Sequence, residues 1–185
     1  MSHILLFFLI NNFKKSKWTS FKIGFLFGFG YFVSNLYWIT NALTFEEIFK
    51  PLIPFALILI PLFLGIFYGF GTLICSFFNL KKNFSTVLIF SVIFSLIEFI
   101  RGFVLGGFPW NIIVYSWTNY LNSIQILSLI GTYSFNLISI TIFLLPFLIL
   151  FQKEIKFKLF IFLFLLFLLI CNAFYGYKKI KNDEK

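Results

Sequence analysis

Charged residues are scarce in this 185-residue chain, at 11% of the total, and only six of them are acidic. A typical soluble domain carries about 25% charged residues. Hydrophobic residues make up 61% of the chain and aromatic residues 24%, which is more apolar surface than a soluble fold of this length could bury. The composition therefore excludes an ordinary soluble protein and predicts an integral membrane protein.

Residues that bind metals or form disulfides are also rare. The chain has two cysteines, Cys75 and Cys171, and a single histidine, His3. Both cysteines lie inside apolar runs, where cysteine behaves as a small hydrophobic residue, and the spacing typical of a zinc site is lacking. We expect no metal and no cofactor. Nor does the sequence offer a Ser/His/Asp set, a carboxylate pair or a Cys/His dyad for catalysis.

Basic residues outnumber acidic ones, which gives a net charge of +9. A nucleic-acid partner is not expected, because the lysines lie between apolar runs and form no basic face with interleaved aromatics. Lysines in this arrangement are typical of membrane topology signals. The clusters at 14–22, 81–82 and 153–158 predict cytoplasmic loops, so loop 102–122 and the C-terminus should face outward from a bacterial inner membrane.

Long apolar runs dominate the rest of the sequence, and a transmembrane helix needs about 20 such residues. They predict an all-α bundle of about five transmembrane helices, together with an N-terminal partial helix and an interfacial loop. Residues 1–177 would form this membrane module, and residues 178–185 a basic polar tail. The expected spans are about 23–44, 54–78, 84–103, 123–150 and 159–177.

Glycines recur at four-residue spacing in the first two spans, at Gly24/Gly28 and Gly65/Gly69. Small residues at this spacing let membrane helices approach closely. A nucleotide-binding loop is disfavoured, since "GFGYFV" has no third glycine and no βαβ context. We therefore expect these glycines to pack helices.

The stretch "EFIRGFVLGGFPWN" at 98–111 holds Glu98 and Arg101 one helical turn apart. Ionisable residues in membrane segments are rare and are candidates for function. Two interpretations stay open for this charge pair. It ties the following loop to the end of the span, or it takes part directly in substrate binding.

An elbow follows, in which two glycines and Pro109 stop the helix. Phe108 and Trp110 should then project at the level of the lipid headgroups. They belong either to an ordinary aromatic belt or to one wall of a groove for acyl chains or a lipid headgroup.

Four stretches together resemble the bacterial apolipoprotein N-acyltransferase family: "GFGYFVSNLYWI" (28–39), "EFIRG" (98–102), "GFPWN" (107–111) with Tyr115, and "QILSLIGTYSFNL" (125–137). The resemblance implies acyl transfer from membrane phospholipid to a lipoprotein. It makes Phe108, Pro109, Trp110 and Tyr115 candidates for a lipid or substrate groove. Val114 and Ser134 stand where the family usually has glycine.

The family's chemistry uses a Glu/Lys/Cys set on an outward-facing nitrilase-like domain, and the resemblance places none of the three in this chain. Cys75 and Cys171 lie in spans and are not candidates for that cysteine. We therefore expect a membrane module that is shortened at both ends and inactive by itself. The alternatives are a stand-alone lipid-binding subunit that works with a separate nitrilase-like chain, and a small permease or structural membrane protein.

Overall fold

The computed structural model describes residues 2–13, 16–78, 83–104, 107, 109–151 and 154–183. These residues form α-helices and 3₁₀ segments and contain no strand, so the prediction of an all-α protein is confirmed. The helices are α1 (Ser2–Phe13), α2 (Lys17–Leu36), α3 (Ile53–Cys75), α4 (Phe84–Arg101), α5 (Leu121–Ile124), α6 (Leu127–Ile130), α7 (Thr132–Phe151) and α8 (Ile155–Asp183). 3₁₀ segments cover Tyr37–Thr44, Glu47–Leu52 and Ile113–Trp117.

Five helical stretches in the described part of the chain are long and apolar enough to cross a membrane. They run over Lys17–Thr44, Glu47–Cys75, Phe84–Arg101, Thr132–Leu150 and Ile155–Asn182. The chain divides into two compact units. The first contains Met1–Leu80 and Leu96–Asn111, and the second contains Lys81–Ser95 and Ile112–Lys185.

Helices α2 and α3 of the first unit pack through their glycines. A Cβ added to Gly28 would lie 2.7 Å from Tyr68 Cβ, and one added to Gly24 would lie 2.1 Å from Thr72 Oγ1. Thr72 Oγ1 also donates a hydrogen bond of 2.8 Å to the Ser20 carbonyl of α2. The prediction that these glycines pack helices is confirmed.

Helix α2 begins earlier than the charge-free run suggested. Ser16 has extended backbone, and its hydroxyl accepts the Thr19 N–H at 3.0 Å, which is the contact of an N-cap residue. The cap sets the start of the helix even though Lys17 and Lys22 follow it. Long lysine side chains can reach toward water from the end of a span. Lys17 and Lys22 can therefore lie in the first turns of α2 without burying their charges in lipid.

The fourth membrane-crossing helix, α7 in the second unit, starts at Thr132 rather than near Ser123. Gly131 has a φ of +77°, a conformation that glycine adopts readily, and it separates α7 from the short helices α5 and α6. At the other end of the chain, α8 continues to Asp183, through most of the segment that we expected to be a polar tail.

The second unit holds its connecting segment, 112–131, against α7 and α8. Ile112, Val114 and Phe135 form a buried apolar cluster. Asn136 Oδ1 accepts the Val114 N–H at 2.9 Å, and Trp117 Nε1 donates to Ser139 Oγ at 2.9 Å. On α8, Gly176 lies so close to the Asn122 carbonyl that an added Cβ would meet that oxygen at 1.7 Å.

Candidate functional site

Arg101 is the last residue of α4, and its side chain is only 1% exposed. Its Nη1 donates a hydrogen bond of 3.0 Å to the Trp110 carbonyl. The guanidinium also lies 5.1 Å from the centre of the buried Phe32 ring, within the range of a cation–π contact. Arg101 therefore joins the end of α4 both to the elbow and to α2.

The elbow depends on two left-handed backbone positions. Gly107 has a φ of +81°, and an added Cβ would lie 2.3 Å from the Gly102 carbonyl oxygen. Asn111 has a φ of +62°, a conformation that asparagine tolerates better than most residues. Tyr31 Oη of α2 donates to the Asn111 carbonyl at 3.4 Å. These features let the chain turn back toward α2 immediately after Pro109.

Trp110 projects from the elbow and packs edge to face with Trp38, with 5.8 Å between the ring centres. Their side chains are 53% and 43% exposed. The two indoles thus form a half-exposed aromatic surface, whose geometry suits either a membrane interface or one wall of a lipid groove. Phe108, another aromatic candidate, lies outside the described residues.

Glu98 is fully buried and takes a different set of partners from Arg101. Tyr68 Oη donates to Glu98 Oε1 at 3.1 Å, and His3 Nε2 lies 4.0 Å from the same oxygen. Within the described ranges, two ion pairs have a nitrogen–oxygen distance of 4.0 Å or less, His3–Glu98 and Lys50–Glu47. The carboxylate and the guanidinium on α4 are thus neighbours along one helix that bind to different groups.

Tyr31, Tyr68 and His3 were not singled out from the sequence, yet they surround Glu98 and the elbow. The Tyr31 and Tyr68 rings stack with 5.8 Å between centres, and His3 meets both edge to face. A signal was present, because Gly24, Gly28 and Tyr31 share one helical face at i, i+4 and i+7. The glycine face of α2 therefore also carries a functional candidate.

Tyr115 belongs to the second unit, in the 3₁₀ segment Ile113–Trp117, and is 39% exposed. Its N–H donates to the Ile112 carbonyl at 3.1 Å. Pro109, Trp110, Glu98 and Arg101 all belong to the first unit. The candidates thus divide between the two units.

Among the described residues, no group of three or more His, Cys, Asp or Glu side chains is placed to hold a metal ion. Cys75 is buried and Cys171 is exposed, and neither forms a disulfide. The site around Glu98 and Arg101 combines a buried cation, the buried Tyr68 hydroxyl and a half-exposed aromatic pair. A guanidinium can bind an oxyanion, and indole rings can pack against apolar groups.

These features define the class: an all-α, multi-pass membrane protein with a polar cluster at the end of one span. The family model of the apolipoprotein N-acyltransferase N-terminal domain matches residues 1–145, and the chain belongs to this family. The resemblance inferred from the sequence motifs is thereby confirmed.

Two named relatives illustrate the match. The apolipoprotein N-acyltransferase of Rickettsia prowazekii is 39% identical over 131 residues, which cover 70% of this chain and 26% of the relative. That of Brucella melitensis biotype 1 is 35% identical over 126 residues, which cover 68% of this chain and 24% of the relative. The chain thus spans about a quarter of the length of these curated relatives. No solved structure matches it significantly.

Proposed function

We propose that this chain is a membrane module for phospholipid-to-lipoprotein N-acyl transfer, in which it holds the phospholipid acyl donor. The resemblance supplies the reaction. A cysteine thiol attacks a phospholipid ester, which forms an acyl thioester and releases the lysophospholipid. The N-terminal amine of a lipoprotein then takes the acyl group as an amide and releases the thiol. In this proposal the Glu/Lys/Cys chemistry belongs to a nitrilase-like domain. This chain contributes the lipid-binding surface and no catalytic residue.

The observation that carries the proposal is the anchored Trp110–Trp38 surface. The Trp110 indole is half exposed, while the backbone beneath it is bound by Arg101 from α4 and by Tyr31 from α2. A belt residue that only marks the interface needs no such anchoring. A groove wall does, because an acyl donor must be held in a fixed position for reaction.

The test replaces the residues equivalent to Trp110 and Arg101 with alanine in the full-length Rickettsia prowazekii relative. We expect either change to lower acyl transfer to a lipoprotein acceptor by about tenfold or more, since misplaced substrate costs rate. The residue equivalent to Leu26, an exposed apolar side chain on α2, provides the matched control. Unchanged acyl transfer in both variants would refute the groove.

We further propose a separate nitrilase-like chain as the catalytic partner. The resemblance motivates this proposal, because the family's Glu/Lys/Cys chemistry resides on a nitrilase-like domain and the match covers about a quarter of each relative. A tagged copy of this chain should co-purify with such a partner. Co-expression of the two should restore lipoprotein N-acylation in a strain depleted of its own enzyme, and failure to do so would argue against the partnership.

The proposed location is the bacterial inner membrane, with the lysine-rich loops in the cytoplasm and loop 102–122 and the C-terminus outside. Support comes from the placement of lysines around the spans. Trp38 follows the C-terminal end of α2, whereas the lysines of α2 lie near its N-terminal end. Trp110 follows α4 in the sequence, whereas Lys81 and Lys82 precede it. This orientation would present the elbow to the outer leaflet.

A further inference from the structure

Arg101 uses only part of its hydrogen-bonding capacity. Its Nη1 bonds to the Trp110 carbonyl, whereas Nε and Nη2 are buried and have no hydrogen-bond partner in the described structure. Nε and Nη2 form one edge of the planar guanidinium, and their N–H bonds point to the same side. An entire bidentate edge of a buried cation is therefore left without an acceptor.

Such an edge is costly when nothing occupies it. A buried polar group without a partner loses its hydration and gains nothing in return, and a buried charge is affected most. Across the described ranges, no carboxylate lies within 4.0 Å of the Arg101 guanidinium. The planar fork of arginine matches two oxygens of a carboxylate or phosphate, so an oxyanion is the ligand that this edge fits.

Asn111 supplies an independent observation at the same elbow. Its Nδ2 is also buried and without a hydrogen-bond partner. Asn111 directly follows Trp110, the residue whose carbonyl accepts the Arg101 bond, and its own carbonyl is bound by Tyr31. Its left-handed backbone, with a φ of +62°, is therefore held from α2, and the elbow carries a third unused donor.

The depth of the elbow indicates which oxyanion is available. Helix α4 has 18 residues and ends at Arg101, which corresponds to a length of about 27 Å at 1.5 Å per residue. This nearly equals the thickness of the hydrocarbon core of a bilayer, about 30 Å. The end of α4 and the half-exposed Trp38–Trp110 pair would therefore lie where lipid headgroups carry their phosphates.

We propose that the Nε/Nη2 edge of Arg101, together with Asn111 Nδ2, binds the phosphate oxyanion of a phospholipid headgroup. This inference rests on the proposed function and deepens it, because it assigns the phosphate of the acyl donor to a particular pair of side chains. The indoles of Trp110 and Trp38 would then lie beside the acyl chains. The phosphate contact is a binding contact and makes or breaks no bond.

The test measures lipid binding to the purified, delipidated full chain by native mass spectrometry. Phosphatidylethanolamine is compared with a diacylglycerol that has identical acyl chains and no phosphate. We expect the phospholipid to bind at least about tenfold more tightly, as a bidentate bond to a charged group implies. Excess inorganic phosphate serves as the competitor that distinguishes a lipid headgroup from free phosphate.

Three variants sharpen the experiment. Arg101→Lys keeps the positive charge but lacks the fork, and it should reduce the phospholipid preference to a few-fold or less. Asn111→Asp keeps the shape and tolerates the backbone conformation but replaces a donor with an acceptor, so it should reduce the preference as well. Lys22→Gln, the matched control, removes a charge from an exposed residue of α2 and should leave the preference unchanged.

The outcomes separate cleanly. A preference that is lost in Arg101→Lys and unaffected by inorganic phosphate supports the headgroup site. A preference abolished by inorganic phosphate supports the same oxyanion site with free phosphate as its ligand. Equal binding of the two lipids, or a preference unchanged in both Arg101→Lys and Asn111→Asp, overturns the site. The measurement involves no acyl transfer, so its failure is distinct from failure of the proposed function.

Discussion

Single buried polar atoms inside the spans set strong local constraints. Asn136 is fully buried on α7, and its Oδ1 accepts the Val114 N–H from the preceding connecting segment. The bond holds the 3₁₀ segment Ile113–Trp117 against α7. Without it the Val114 N–H would have no acceptor. Within an apolar environment such a lost bond costs the whole desolvation penalty of the N–H.

We expect Asn136→Ala to destabilise the protein by about 1–3 kcal/mol, because it leaves the Val114 N–H buried and unpaired. Asn35→Ala is the matched control, since the Asn35 side chain is exposed and bonds only within α2, to Tyr31 O. Its effect should remain within about 0.5 kcal/mol. Unfolding in detergent, followed by circular dichroism, compares the two. Equal losses of stability would contradict the assigned role of Asn136.

A second pair of residues tests whether an interhelical hydroxyl contributes to stability. Thr72 Oγ1 of α3 donates to the Ser20 carbonyl of α2 at 2.8 Å, whereas Thr141 Oγ1 donates only within α7, to Leu137 O at 2.9 Å. Thr72→Val should cost about 0.5–1.5 kcal/mol. Thr141→Val should cost less. The midpoint of thermal unfolding in detergent is the readout, and a larger shift for Thr141→Val would reject the distinction.

At the scale of the helices, α2 and α3 depend on close approach along one glycine face. Gly24 and Gly28 of α2 face Thr72 and Tyr68 of α3, and the space for even one methyl group is missing. Close approach brings many atoms into van der Waals contact, which is the main attraction between helices in lipid. Gly30, on another face of α2, meets nothing within 4 Å.

This contrast yields a matched pair of substitutions within one helix. Gly24→Ala should destabilise the protein by about 1–3 kcal/mol, because overpacking forces α2 and α3 apart. Gly30→Ala should be neutral or stabilise by up to about 1 kcal/mol, since alanine is the better helix former. Denaturant or thermal unfolding in the same detergent measures both. If Gly24→Ala is as harmless as Gly30→Ala, the α2–α3 contact is not the one described.

For the whole molecule, the five candidate crossings predict which segments share a side of the membrane. Starting from Ser16, an odd number of crossings precedes Glu46 and Asn119, and an even number precedes Glu154. Glu46 and Asn119 should therefore face the side opposite to Glu154. The lysine distribution predicts that Glu154 is cytoplasmic.

Single-cysteine labelling in intact cells checks this topology. With Cys75 and Cys171 replaced by alanine, a membrane-impermeant maleimide should label Glu46→Cys and Asn119→Cys but not Glu154→Cys. Labelling of Glu154→Cys after permeabilisation is the control for its accessibility. The opposite pattern would invert the proposed orientation, and labelling of all three from outside would exclude five crossings.

Much of the architecture could be predicted from local properties of the chain. Apolar runs of the required length predicted five crossing helices, because the bilayer demands about 20 apolar residues from any spanning helix. The four-residue spacing of Gly24 and Gly28 predicted a helix-packing face. Helix α2 starts at Lys17, six residues before the expected span of about 23–44, because the cap at Ser16 begins the helix.

The candidate site was harder to predict, and Arg101 shows why. The sequence placed Glu98 and Arg101 on one face of a helix, which is a local property. Their partners come from residues far along the chain, Tyr68 and His3 for the carboxylate and Phe32 for the guanidinium. Spacing within one helix carries no information about such contacts.

Composition and hydrophobic run length were thus sufficient to establish a multi-pass helical membrane protein, because solvation by lipid acts on each segment independently. Only the tertiary structure shows that Arg101 binds the Trp110 carbonyl and that Tyr31 binds the Asn111 carbonyl. It also shows that Nε and Nη2 of Arg101 have no hydrogen-bond partner in the described structure. The physical reason is that hydrogen bonds and ring contacts act over a few ångströms between segments distant in sequence. Only packing of the helices brings those segments together.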